Sequence, residues 1–326
     1  MFECNEAVRA LGQPIVKLLE AISGAVGKMY EPRFYKKMAE ARAHEIKVIS
    51  QEARENIDIP ILYESSGLVV DTRNLAEISK RALSRLKYQE IKKQENIESV
   101  IGYACQDIKN VTNVSDEAVS PDWVIRFFNS VEDISEAEMQ KIWGRILSGE
   151  VQRPHTYSYR LLEKLKNMNQ REAEHFQLVS SLALGDVGEP RVIVKDDELL
   201  KEYQIPFTYF LELEECGLLS SQELSLQISS TDSKQMMLFN SKIAVIVKGI
   251  AGTPGLVSIP VFALTSSGSQ LVSVVQPKEN CNYVLEAFKK IKKVHKGFAI
   301  TAHKINIVDN EGKVDYCEED LLQEGD

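Results

Sequence analysis

Met139, Ile142, Trp143, Ile146 and Leu147 recur at i, i+3, i+4, i+7 and i+8, a spacing that places all five on one side of an α-helix. No strand can gather those side chains, because its alternation would send them to opposite faces. Asp133 or Ser135 precedes the stripe as a candidate N-cap, with Glu138 placed for a capping box behind Ser135. Gly149 is expected to end this helix. Its apolar face must be covered by neighbouring helices, and the sequence supplies them. Tyr157 to Leu165 reads as one, and a second starts at Asn169 and runs to about Leu184. Trp143, Leu147, Gly149, Leu162 and Phe176 are the positions expected to hold this part together.

Upstream, apolar residues from Val8 to Met29 follow helical spacing but are interrupted by Gly12, Pro14, Gly24 and Gly27. Arg33 to Asn56 reads as a helix of mixed charge, and Asp58 to Asp71 as a loop around Pro60 and Gly67. Asn74 to Lys109 returns to strong helix formers, and Pro121 opens a helix with Trp123, Phe127 and Phe128. After Gly185 the texture changes. A strand is expected at RVIVK, then short helices from Asp196 or Asp197 to Tyr203 and from Phe207 to Cys216. Strand-like runs follow at Glu223–Ser229, Met236–Phe239, Ile243–Ile250 and Gly255–Thr265. Asn282 to Lys293 reads as a helix, His303 to Val308 as a strand, and Asp315 to Asp326 as a disordered acidic tail.

The fold class expected is therefore α+β, with a mainly helical N-terminal two-thirds and an α/β C-terminal domain. The expected divisions are 1–72 (amphipathic helices), 73–186 (the Trp143 domain), 187–314 (the α+β domain) and 315–326 (the tail).

A net charge of −9 argues against a chain that coats nucleic acid or anionic membrane through bulk charge. Five scattered cysteines, with no CxxC and no Cys/His pair at zinc spacing, favour reduced thiols over a disulfide framework. The acidic start and the lack of an uncharged span of about 20 residues make a cytoplasmic location the expectation.

Catalytic chemistry finds little footing. None of His44, His155, His175, His295 and His303 has a second His or Cys one helical turn away, so no helical metal pair is expected. His155, in a Pro-His-Thr-Tyr stretch, reads first as a loop-packing residue. The glycines of KGIAGTPG are flanked by strands and followed by no Gly-Lys-Ser/Thr, which favours a hairpin turn over a phosphate loop. No catalytic residue, metal, cofactor or small-molecule substrate is expected. The sharpest partner candidate is FKKIKKVHKG, where Lys289, Lys290, Lys292, Lys293 and Lys296 cluster, with Lys304 close in sequence. A second basic run, Lys28, Arg33, Lys36, Lys37 and Arg42, follows the first amphipathic helix and would suit a peripheral membrane contact, but Glu20, Glu31, Glu40 and Glu45 dilute its charge and favour core packing or oligomer assembly.

Two resemblances add to this. LEECGLLSSQ at Leu213–Gln222 and FALTSSGSQLVSVV at Phe262–Val275 resemble the turns of winged-helix modules, with Cys216 where the first leucine would stand. They imply a winged-helix-like C-terminal domain. Asp133-Ile134-Ser135, Gln140, Trp143, Ile146-Leu147-Ser148-Gly149-Glu150, Pro154, Ser158, Leu162, Leu165-Lys166 and Glu172-Ala173-Glu174-His175-Phe176 form a longer pattern. With Lys87–Ala104 upstream, it resembles an uncharacterised bacterial family similar to the abortive-infection alpha proteins of phage-defence loci. That resemblance implies a bacterial defence protein and brings no catalytic residues. The expectation is a non-enzymatic defence or interaction protein, self-assembling through its helices and binding nucleic acid or protein through its C-terminal domain. The alternative is a membrane-acting effector that uses the first amphipathic helix.

Overall fold

A computed structural model describes Pro14, Lys17, Leu18, Ala21 and Ile22, and residues 61–64, 67–70, 72–109, 111, 114–185, 191–230, 235–250, 253, 255–308 and 313–323. The chain is mixed α/β and divides into two compact units, Met1–Thr156 and Tyr157–Asp326. Residues 157–186, grouped by sequence with the Trp143 helices, cluster instead with the sheets of the second unit.

The first unit opens, among described elements, with β1 (Ile61–Glu64) and β2 (Gly67–Val70), an antiparallel hairpin with Ile61 opposite Val70. This corrects the loop expected over 58–71: residues 61–64 and 67–70 pair as antiparallel strands, from Ile61 opposite Val70 to Glu64 opposite Gly67. Then comes α1 (Thr72–Ile108), 37 residues and about 55 Å long. Its C-terminal half buries Ile97, Val100, Ala104 and Ile108. α2 (Pro121–Val131) begins at Pro121, as expected, and α3 (Ala137–Gln152) carries the tryptophan stripe.

Trp143 is fully buried, edge-on to Phe127 at 5.4 Å, and Phe127 in turn stacks on Trp123 at 5.2 Å. α1 packs along α3, and the approach is close because position 144 has no side chain. A Cβ there would lie 2.6 Å from Tyr103 Cβ and 3.0 Å from the Ala104 nitrogen. A buried polar pair marks the same crossing. Gln140 Nε2 donates to the Ile134 carbonyl (2.8 Å) and Asn96 Oδ1 (3.3 Å), while Asn96 Nδ2 donates to the Glu132 carbonyl (2.9 Å).

Both ends of α3 differ from expectation. Glu136, not Ser135 or Asp133, is the N-cap, its carboxylate accepting from Glu138 N–H (3.1 Å) and Met139 N–H (2.7 Å). Gly149 lies inside the helix, and its carbonyl accepts the Arg153 N–H at 2.9 Å. The left-handed backbone that lets a glycine end a helix is absent there; among the described glycines it occurs at Gly217 (φ 68°).

The second unit starts with α4 (Tyr159–Lys166), capped by Ser158, and α5 (Gln170–Ser180), capped by Asn169 in a full capping box with Glu172. There follow β3 (Val192–Val194), α6 (Asp197–Glu202), α7 (Phe207–Glu215), β4 (Leu219–Ser229), β5 (Met236–Phe239), β6 (Ile243–Gly249) and β7 (Leu256–Leu264). α8 (Ser266–Val275), α9 (Cys281–Val294), β8 (Phe298–Val308) and β9 (Val314–Tyr316) complete it.

The strands form two antiparallel sheets, ordered β3-β7-β4 and β5-β6-β8-β9. β6 and β7 therefore do not pair, and the glycine-rich KGIAGTPG stretch crosses from one sheet to the other. This corrects the hairpin expected there: the partner of β7 is β4, with Leu226 opposite Ile259. The acidic end is ordered as far as it is described, which corrects the disordered tail. β9 pairs with β8, Leu322 is buried, and the Asp320 carboxylate accepts the N–H groups of Ala302 (2.9 Å) and Leu322 (3.0 Å).

Candidate functional site

The two runs that resembled winged-helix turns are brought together. α7 ends at Cys216 and reverses through left-handed Gly217 into Leu218 and β4, while Thr265 caps α8. Thr265 Oγ1 donates to the Gly217 carbonyl at 2.8 Å, and Thr265 N–H to the Leu218 carbonyl at 3.0 Å. A Cβ at Gly268 would fall 2.0 Å from the Leu218 oxygen, so glycine is the residue that fits. Lys164 of α4 also donates to the Gly217 carbonyl, and burial pulls its ammonium below the usual lysine range, with Arg160 adding to the effect.

This junction fixes α7 over the sheet. Phe210 and Leu213 are buried, and Phe210 stacks on Phe262 of β7 at 4.3 Å. On its flank, His175 of α5 lies flat against Tyr209 at 3.6 Å, with Nδ1 2.6 Å from Glu212 Oε2. Arg171 takes the other oxygen of Glu212 at 3.1 Å. The Cys216 thiol is pushed up to about 11 by burial, then by Glu172, Glu215 and Glu212. A thiol so placed stays protonated and is a poor nucleophile.

The opposite side of α7 faces solvent, with Phe207 52% and Leu211 42% exposed. Glu215, one turn beyond Leu211, is exposed too. Beside Phe207 opens a cavity of about 490 Å³ lined by Leu200, Ile205, Pro206 and Phe207, with Lys195, Asp197 and Lys201 at its edges. A second recess of about 250 Å³ shares Lys195 and Asp197 and reaches Gln222, Leu224 and Pro260. Lys195 Nζ lies 5.5 Å from the Phe262 ring centroid.

The lysines expected to hold a partner are not one open patch. Lys290 pairs with Asp196 (3.1 Å) and Glu198 (3.2 Å), and the hydrogen bond it donates to Asp196 leads in holding its ammonium above the usual range. Lys292 pairs with Asp320 at 3.2 Å, and Lys289 is half-buried. Lys293 and Lys296 are exposed around the end of α9, and Lys304 is exposed on β8. Trp143, Leu147, Leu162 and Phe176 are all buried core residues. The basic run Lys28 to Arg42 and most of the first amphipathic helix lie outside the described residues.

His155 adopts φ 68° in the Pro-His-Thr turn, with its ring 3.1 Å from Glu117 and exposed. Among the described residues no group of three or more His, Cys, Asp or Glu could hold a metal ion, and no helix is long and apolar enough to cross a membrane.

No curated protein and no solved structure matches the chain. A family model described as protein of unknown function (DUF2806) matches residues 80–287, a span that takes in α3, the Gly217 junction, α7 and the first half of α9. The chain belongs to that family of uncharacterised proteins.

Proposed function

We propose that the chain is a non-enzymatic interaction protein whose second unit is a winged-helix-like module docking a protein partner, and that it serves defence against phage. The sheet order β3-β7-β4, with α6 and α7 threaded between β3 and β4, carries the reading. That is the order in which a winged helix runs, and it gives α7 the place of the helix that meets the ligand. A nucleic-acid ligand would select lysine and arginine there. α7 reads Phe-Thr-Tyr-Phe-Leu-Glu-Leu-Glu-Glu, with no cation, which supports a protein partner. Self-assembly through the helices is part of the same proposal, and exposed Ile78, Tyr88 and Ile91 on α1 support it. The defence role draws its support from the resemblance of the Trp143 pattern.

The test is phage plating on cells carrying the wild-type chain, the F207S/L211S variant or neither. Protection by the wild type that the variant loses is the expected result, and equal plating on all three removes the reading. Retention of duplex DNA by the purified chain at about 50 mM salt, where phosphate contacts are strongest, would transfer the site to nucleic acid.

A further inference from the structure

We infer that the outer face of α7 and the adjoining cavity bind a basic amphipathic helix of a partner protein. This inference rests on the docking role proposed above and adds the chemistry of the partner. Two observations carry it.

The first is shape and polarity. Phe207 and Leu211 stand one turn apart on the same side of α7, both about half exposed, although their neighbours Phe210 and Leu213 are buried. Exposed apolar pairs of this kind are ridges against which a second helix can lay its own i, i+4 side chains. The cavity walled by Leu200, Ile205, Pro206 and Phe207 begins at the foot of the ridge and is large enough for an anchoring aliphatic or aromatic side chain.

The second is charge. α6 and α7 together carry Asp197, Glu198, Glu202, Glu212, Glu214 and Glu215 against Lys201. Glu198 is met by Lys290 and Glu212 by Arg171 and His175. Asp197 at the cavity edge and Glu215 beyond Leu211 form no ion pair among the described residues. A partner whose apolar stripe covers Phe207 and Leu211 would therefore place its flanking residues over carboxylates. Lysine and arginine are the side chains that complement them, and acidic ones would be repelled. Lys195, which lines both recesses, has its Nζ 5.5 Å from the Phe262 ring centroid.

The experiment uses the full chain and two fluorescein-labelled helical peptides with the same leucine spacing, one bearing lysine and the other glutamate at every polar position. Anisotropy titration should show the leucine/lysine peptide binding at least ~10-fold more tightly than its acidic twin. L211S and E215K, both surface changes, should each weaken it by about 10-fold, with unchanged thermal unfolding. E138K, an exposed carboxylate change on α3, should leave binding as it was and so rule out general attraction to an acidic protein. Failure of the leucine/lysine peptide to bind, equal binding of both peptides, or indifference to L211S and E215K overturns the inference. Phage plating reads the docking role separately, so a chain that protects cells but ignores the leucine/lysine peptide refutes this inference alone.

Discussion

The carboxylate of Glu150 accepts the backbone N–H of His155 at 2.7 Å, and this contact closes the end of the tryptophan helix. Glu150 is 1% exposed, an unusual place for an acid unless it holds something. What it holds is a turn in which His155 takes a left-handed backbone. The Ser-Gly-Glu sequence after Leu147 is thus a latch on the following Pro-His-Thr turn. Glu150→Ala should cost about 1–3 kcal/mol by leaving the His155 N–H without its acceptor. Hydrogen exchange at His155 and the midpoint of urea unfolding would check it; an unchanged midpoint would show that the latch contributes nothing.

Gly144→Ala separates packing from helix propensity. Alanine favours a helix by up to about 1 kcal/mol over glycine. Here its methyl would press on Tyr103 Cβ and the Ala104 backbone, neither of which can swing aside. The clash should win, for a net loss of about 1–2 kcal/mol and a lower Tm. A raised Tm would mean that α1 and α3 can separate freely.

Asp320 should make the C-terminal stretch sensitive to acid. Burial pushes its carboxyl up, but the Ala302 and Leu322 N–H groups and Lys292 outweigh that and hold it below the usual range. A depressed folded value gives stability that is complete above the unfolded pKa of about 4 and disappears as pH falls through the folded value. Asp320→Asn should lower the Tm at neutral pH, and the gap to wild type should narrow at about pH 3. A gap that stays constant with pH would contradict the assignment.

Cys216 should resist thiol reagents. With its thiol pushed to about 11, roughly one molecule in a thousand carries the thiolate at pH 8. In a variant retaining Cys216 alone, labelling should be about 100-fold slower than for an exposed cysteine, and should keep rising with pH beyond 9.

The parts of the fold legible in the sequence are those written in one local period. The Trp143 stripe, Pro121 at the start of α2 and Asn169 at the start of α5 lie where the sequence placed them. The hairpin at 61–70 escaped because four-residue strands carry too little alternation to outweigh Pro60 and Gly67. Lys290 looked available because its carboxylates, Asp196 and Glu198, are 94 and 92 residues away in sequence. α7 was visible as a helix, but its polarity became informative only once Phe210 and Leu213 were seen to face the sheet, which leaves Phe207, Leu211 and Glu215 outside. The cavity edge at Lys195 and Asp197 had no sequence signal at all.

The path from β6 to β7 has a bearing on how the molecule is made. β4 leaves the ribosome before β5 and β6, yet its mate β7 comes after them, and β6 then needs β8, later still. Each layer must therefore wait for a strand made after part of the other. A chain ending between Gly249 and Leu256 should leave both layers unfinished. One ending between Leu264 and Phe298 completes β3-β7-β4 while β6 still waits for β8, so the two layers close late and in that order.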